Sequence, residues 1–129
     1  MATGPLAQLM MDMVEAGTPE QIPLAPDAVV WHNYDQAEIP AATNMASLLA
    51  LRAAFPDLRF DDLRVSHCGH LSIAQWVFTV TLPEGDVVRA PGCFVVHERD
   101  GRIVRVEEYM DSAQLAPVAA AIGQQSQSD

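Results

Sequence analysis

The side chains of this 129-residue sequence best able to move a proton are Glu108 and the polar run His32-Asn33-Tyr34-Asp35. In an ideal strand Val104, Val106, Glu108 and Met110 share one face, and Arg105, Glu107 and Tyr109 share the other. A carboxylate following two valines is expected on the buried side. Burial without a cation raises a carboxyl pKa and makes it a general acid or base near neutrality. The competing reading is a strand-end glutamate that is solvated or paired with an arginine, Arg89 being one such partner. Asn33 shares a face with Trp31, so both are expected to point inward. An amide there can orient a water or a substrate carbonyl, or it can hold its own backbone. His32 alternates with Trp31 and is expected at the surface unless a bend at Tyr34 swings it in. Asp35 and Tyr34 lie on the loop that would rim a pocket, and either can supply a proton.

Other polar groups offer less. His67-Cys68-Gly69-His70 puts three metal-ligand types within four residues, but a site needs a fourth partner, so a polar turn is the better account and no metal is expected. Cys93 and His97 share a face with Val95, and nothing visible would orient the histidine as a base for the thiol. Trp31, Trp76, Phe78, Met10 and Cys93 are the expected substrate-binding positions, with plain core packing as the alternative for most of them.

The elements that must position these groups are readable from periodicity. Leu6, Leu9, Met10, Met13 and Val14 recur at helical spacing, with Thr3 or Gly4 as cap, Pro5 in the first turn and Gly17 as stop. Thr18-Pro19-Glu20-Gln21 reads as a capping box opening one short turn. A strand is expected over 28–33, a polar loop over 34–40 and a helix over 42–55, ended by Pro56-Asp57. Strands follow over 58–66, 70–82, 86–90, 92–98 and 102–110, with turns at Pro83-Glu84-Gly85-Asp86 and Arg99-Asp100-Gly101. The strand over 70–82 is long enough to need a bulge. In it Ala74, Trp76, Phe78, Val80 and Leu82 form an apolar face, and Gln75, Thr79 and Thr81 a mixed one. A closing helix over 112–122 and a polar tail over 124–129 complete one domain, residues 1–123. Helices first and antiparallel strands afterwards indicate an α+β fold.

Bulk composition narrows the classes. Half the residues are hydrophobic, enough for a core and a cavity lining. A net charge of -10 disfavours nucleic acid and anionic membrane surfaces as partners. Two cysteines make no disulfide framework, so reduced thiols and a cytoplasmic setting are expected. The N-terminus lacks a basic segment followed by an apolar core, and no apolar run is long enough to span a bilayer.

Three stretches carry a family resemblance: Val29-Val30-Trp31-His32-Asn33, Ala53-Ala54-Phe55-Pro56-Asp57-Leu58, and Asp100-Gly101-Arg102-Ile103 running into Glu108-Tyr109-Met110-Asp111. In order and spacing they resemble the SnoaL-like polyketide cyclases, limonene epoxide hydrolases and ketosteroid isomerases of the nuclear-transport-factor-two-like superfamily. The resemblance covers Leu6 to Leu115. It implies a cone-shaped curved sheet, mixed or antiparallel, wrapped around N-terminal helices and enclosing an apolar pocket. It also implies a homodimer.

Functional positions carry over unevenly. Against the ketosteroid isomerases, the base aspartate falls on Asn33, the oxyanion-hole tyrosine near Met10 and the neutral aspartate on Cys93, so that mechanism is not retained. Against the epoxide hydrolases, Asn33 keeps the asparagine, Trp31 replaces the tyrosine and Glu108 stands for the water-activating aspartate. Their Arg-x-Asp pair falls near Trp76 and Phe78 and is absent. Against the SnoaL-like cyclases the base again lands on Glu108, while the usual histidine of the preceding strand falls near Gly92 or Cys93. The resemblance therefore implies a cofactor-independent isomerase, lyase/cyclase or epoxide hydrolase acting on a small, largely apolar molecule. Glu108 would be its acid or base, helped by Asn33, His32 or Asp35. The alternative is a non-catalytic ligand-binding or dimeric scaffold protein of the same fold.

Overall fold

The computed structural model describes residues 5–128, with side chains to residue 123. The expected caps Thr3 and Gly4 and the terminal residue 129 lie outside the described residues. Helix α1 (Leu6–Ala16) turns Leu6, Ala7, Met10, Met11 and Val14 into the core. Gly17, at φ 74°, closes it, with Thr18 N–H donating to the Met13 carbonyl at 2.9 Å. A single 3-10 turn, Pro19–Gln21, follows. The anticipated capping box does not form there, because the Thr18 hydroxyl lies on the Met13 sulfur at 3.5 Å.

Strand β1 (Leu24–His32), the short β2 (Glu38–Pro40) and helix α2 (Ala41–Ala54) come next. The rest is β3 (Arg59–Cys68), β4 (Leu71–Thr81), β5 (Val87–Arg99) and β6 (Arg102–Met110), then a 3-10 turn (Ser112–Leu115) and helix α3 (Ala116–Ser128). The six strands form one open mixed sheet in the order β2-β1-β6-β5-β4-β3. Only β1 and β6 run parallel. This is the expected α+β architecture, with differences in detail. The strand expected to break at Pro91 is continuous, because Pro91 sits one residue past the end of β6, where one flank of β5 has no partner and a missing N–H is tolerated. The expected tail over 124–129 is helical as far as Ser128.

The curvature expected of β4 comes from its neighbour. The β4–β5 register runs unbroken, whereas β3 carries an irregularity between Asp61 and Arg64, with Asp62 at φ 55°. A second bulge lies in β6, where Val104 has no partner between Ile103 and Arg105. The extra residue resets the alternation. Ile103, not Val104, is buried, while Val106, Glu108 and Met110 keep one face together.

The concave face of the sheet, with Ala74, Trp76, Phe78, Val80, Phe94, Val96 and Val106, packs on α1. The Ala7 N–H donates to the buried Ser72 hydroxyl at 3.0 Å, which sets the helix on β4. Helix α2 is held more loosely. Of its residues only Ala41 is buried, and Arg52 ties it to the Val14 carbonyl.

Candidate active site

Parallel pairing of β1 with β6 brings His32 directly beside Glu108. Parallel neighbours in register present their side chains to the same side, so both face the concave surface. On the other flank β5 sets Phe94 opposite Glu108. The chain then turns at Tyr34, and the Asn33 N–H donates to the Glu108 carbonyl at 3.0 Å. The Asn33 side chain also works on backbone, its Oδ1 accepting from the Met110 N–H at 2.9 Å. Asn33 thus clamps the strand end that carries Glu108.

This register reverses the expected orientation of two residues. His32 is buried with Val30 and Ala28, while Trp31 packs against Tyr109 on the convex face, ring centroids 5.4 Å apart. The face shared with Asn33, a pocket position in the resemblance, favoured an inward tryptophan. The partner strand decides otherwise, since Val30 pairs with Val106 and Trp31 with Glu107.

Four polar side chains meet around the imidazole. His32 Nε2 lies 3.5 Å from Glu108 Oε1 and 3.0 Å from Asn44 Oδ1, while Nδ1 lies 3.6 Å from Asp35 Oδ1 and has no hydrogen-bond partner. Tyr34 stacks on His32, with centroids 4.9 Å apart and planes 15° apart, and its hydroxyl donates to Glu108 Oε1 at 3.4 Å. Burial raises the Glu108 pKa above its ordinary value. His32 and the Tyr34 hydroxyl oppose that rise, and the charge of Asp35 adds to it. Burial, then the nearby carboxylates of Glu108 and Asp35, push Tyr34 upward, so its hydroxyl stays protonated and remains a donor.

Glu108 faces a cavity of about 170 Å³. Phe60, Phe78, Phe94 and Met110 line it from the sheet, Leu48 and Leu51 from α2, Leu115 and Val118 from the C-terminal segment. Tyr34, Asn44, Ser47 and Glu108 supply its polar groups. A larger hollow of about 440 Å³ lies along the other side of α2, between Pro19, Ile22, Leu24, Met45 and Leu49. Among the described residues its one ionisable side chain is Glu20, which has no acid–base partner there.

The remaining sequence candidates separate. Phe78 lines the cavity. Trp76 stands behind its wall, 5.0 Å from both Phe60 and Phe94. Met10 is enclosed in the core and is not a lining residue. Cys93 pairs with Tyr109 and Gln75 on the convex face, away from the cavity, and burial raises its thiol. His97 binds Glu107 there at 2.8 Å. Arg89 reaches Asp61 and Asp62 and does not partner Glu108. His67 folds back on the Gly69 carbonyl at 3.0 Å.

Several site residues escaped the sequence reading. Asn44, Leu48 and Leu51 fall at helical spacing on the cavity side of α2, a pattern in which a polar Asn44 is the signal. Phe94 alternates with Cys93, so placing Cys93 inward hid it.

Comparison with known proteins agrees with this architecture. The profile of the SnoaL-like domain matches residues 7–106. Among solved structures, IdmH from Streptomyces antibioticus, a candidate polyketide cyclase, superposes with a TM-score of 0.74 at 19% identity, over 92% of this chain and 96% of that one. AclR from Streptomyces galilaeus, a candidate hydroxylase, gives 0.72 at 18% identity over 92% and 93%. A candidate polyketide cyclase from Xanthomonas campestris pv. campestris gives 0.71 at 21% identity over 87% and 92%. No curated protein matches significantly in sequence. At these identities the likeness establishes the fold, and the profile match over most of the chain places this protein in the SnoaL-like domain family.

Proposed function

We propose that this protein is an enzyme that moves a proton on a small, largely apolar carbonyl compound, as an isomerase or cyclase does. The observation that carries this reading is a carboxylate with a raised pKa facing an apolar cavity, with an imidazole and a phenol in reach. In its ionised form Glu108 accepts a proton from the carbon next to the carbonyl. The enolate oxygen that develops is met at the same end of the cavity by the Asn44 amide N–H, and by the Tyr34 hydroxyl once the protonated Glu108 releases it. The His32 Nε2–H, on Asn44 Oδ1 and 3.5 Å from Glu108 Oε1, steadies the ionised carboxylate and holds the Asn44 amide N–H groups toward the cavity. Such a reaction needs no cofactor. Cyclase names among the structural neighbours are consistent with enolate chemistry. The epoxide-hydrolase version receives less support, because the Asn33 amide oxygen that would hold the water is engaged by Met110 N–H. We also propose that two copies pair through the convex face of the sheet.

The test is Glu108→Gln, assayed by deuterium uptake at the α-carbon of a panel of enolisable ketones and by opening of a panel of epoxides. Loss of a general base lowers the rate about 10²–10⁴-fold. Unchanged turnover of an accepted substrate would remove Glu108 from the mechanism. Ligands that bind the wild-type protein and are never exchanged or opened would favour the non-catalytic binding protein of the same fold.

A further inference from the structure

The cavity carries information about its occupant beyond polarity. An apolar cavity of about 150 Å³ holds one benzene ring, and pockets for drug-sized ligands run from about 300 to 1,000 Å³. The cavity beside Glu108, at about 170 Å³, falls near the first figure in its deep part and opens to solvent past the exposed Tyr34. Its deep wall has little freedom to retreat. Phe60 meets Phe78 edge-on at 5.9 Å, and Trp76 backs Phe60 and Phe94. Trp76 is itself held on Gly92, where a single added carbon would come within 2.8 Å of the indole ring. Close-packed aromatic layers of this kind resist deformation.

The polar end restricts charge. None of the described residues lining the cavity is an arginine, and the chain has no lysine. Glu108 lines the cavity, and Asp35 lies behind His32, so an anionic ligand would meet the Glu108 carboxyl in a chain of net charge -10. The Ser47 hydroxyl is spent on the Thr43 carbonyl at 3.2 Å. The donors for a ligand are the Asn44 amide N–H groups and the Tyr34 hydroxyl, the latter on turning from its long 3.4 Å contact with Glu108, and both sit at the Glu108 end of the cavity.

We propose that this cavity takes a neutral compound of a single ring, with its hydrogen-bonding oxygen toward Asn44 and Tyr34 and the carbon beside it toward Glu108, and that fused multi-ring compounds bind it more weakly. The inference rests on this cavity being the substrate site proposed above. It does not rest on Glu108 acting as a base.

Three probes test it: acetophenone, benzoate as an anion of matched size, and anthrone as a fused three-ring ketone. Binding to the full chain is followed at pH 8 by methyl resonances of Met110, Leu115 and Val118. Acetophenone should shift those resonances saturably, with benzoate and anthrone at least tenfold weaker. Leu115→Ala, which trims a half-buried wall residue, should raise the affinity for anthrone relative to acetophenone at least tenfold. Anthrone or benzoate binding the wild-type cavity as tightly as acetophenone would overturn the proposal. So would acetophenone leaving those resonances unmoved at millimolar concentration. The acetophenone methyl group is enolisable, so the same samples also read proton exchange. Binding without exchange supports the size and charge inference while removing the proton-transfer reading.

Discussion

Glu108 is held by opposing influences, and burial is the largest of them. Its folded pKa lies above its unfolded value, so the folded chain binds the proton more tightly. As pH rises from the ordinary glutamate range through the raised value, the unfolded chain ionises first and stability falls. Glu108→Gln removes this penalty. The variant is expected to resist urea better than the wild type at pH 8, with the difference shrinking as pH approaches 4. Equal curves at both values would mean that the carboxylate is solvated. Asn33 is expected to matter without touching the ligand. Asn33→Ala leaves the Met110 N–H without its acceptor, which costs about 1–3 kcal/mol for a buried donor. It should also lower kcat more than it raises KM, because it loosens the strand end that aims Glu108. Glu108 was readable in the sequence because one face of its strand continues apolar through Val106 and Met110. The inward turn of His32 was not, because the parity of β1 is fixed by parallel pairing with a strand some 75 residues later.

Elements show the same division. Helix α1 was visible at full length from its apolar repeat and Gly17, since both are local signals. The convex surface depends on pairings no local window contains. Thr79, read as part of a mixed outer face, is wholly enclosed. Its cross-strand partners are Arg59 and Arg89, and both arginines reach Asp61. The position of Gly92 is equally non-local. Beside Pro91 it looks like a strand break, yet it is where β5 must pass under Trp76. A Cβ there would fall 2.7 Å from both the Trp76 ring and the Tyr109 carbonyl oxygen. Gly92→Ala is therefore expected to destabilise by about 1–3 kcal/mol, the usual cost of overpacking. Pushing Trp76 against Phe94 and Phe60 should also weaken ligand binding. Chemical denaturation and the acetophenone titration measure the two effects separately, and a neutral Gly92→Ala would show that the wall can yield after all.

At the scale of the whole molecule, the sheet divides labour between its faces. The concave face holds α1, the cavity and Glu108. The convex face leaves Trp31 and Cys93 half-buried and Tyr109 exposed, alongside Val95 and Ile73. A net charge of -10 opposes association of two copies, but the convex face is locally close to balanced. Arg59 and Arg89 are matched there by Asp61 and Asp62, and Arg105 by Glu107 and Glu38. A stable pairing typically buries about 800 Å² on each partner, an area that a multi-stranded sheet face can supply. Two 14.0 kDa chains are thus expected to sediment as one dimer. Because distant like charges oppose the pairing and salt screens them, the dimer should tighten as salt rises from about 0.01 to 0.15 M. Tyr109→Lys places a cation against Trp31 in the middle of this face and should yield monomers. Acetophenone binding should survive, since Tyr109 points away from the cavity. A wild-type chain that sediments as a monomer at every salt concentration would leave the convex face to solvent.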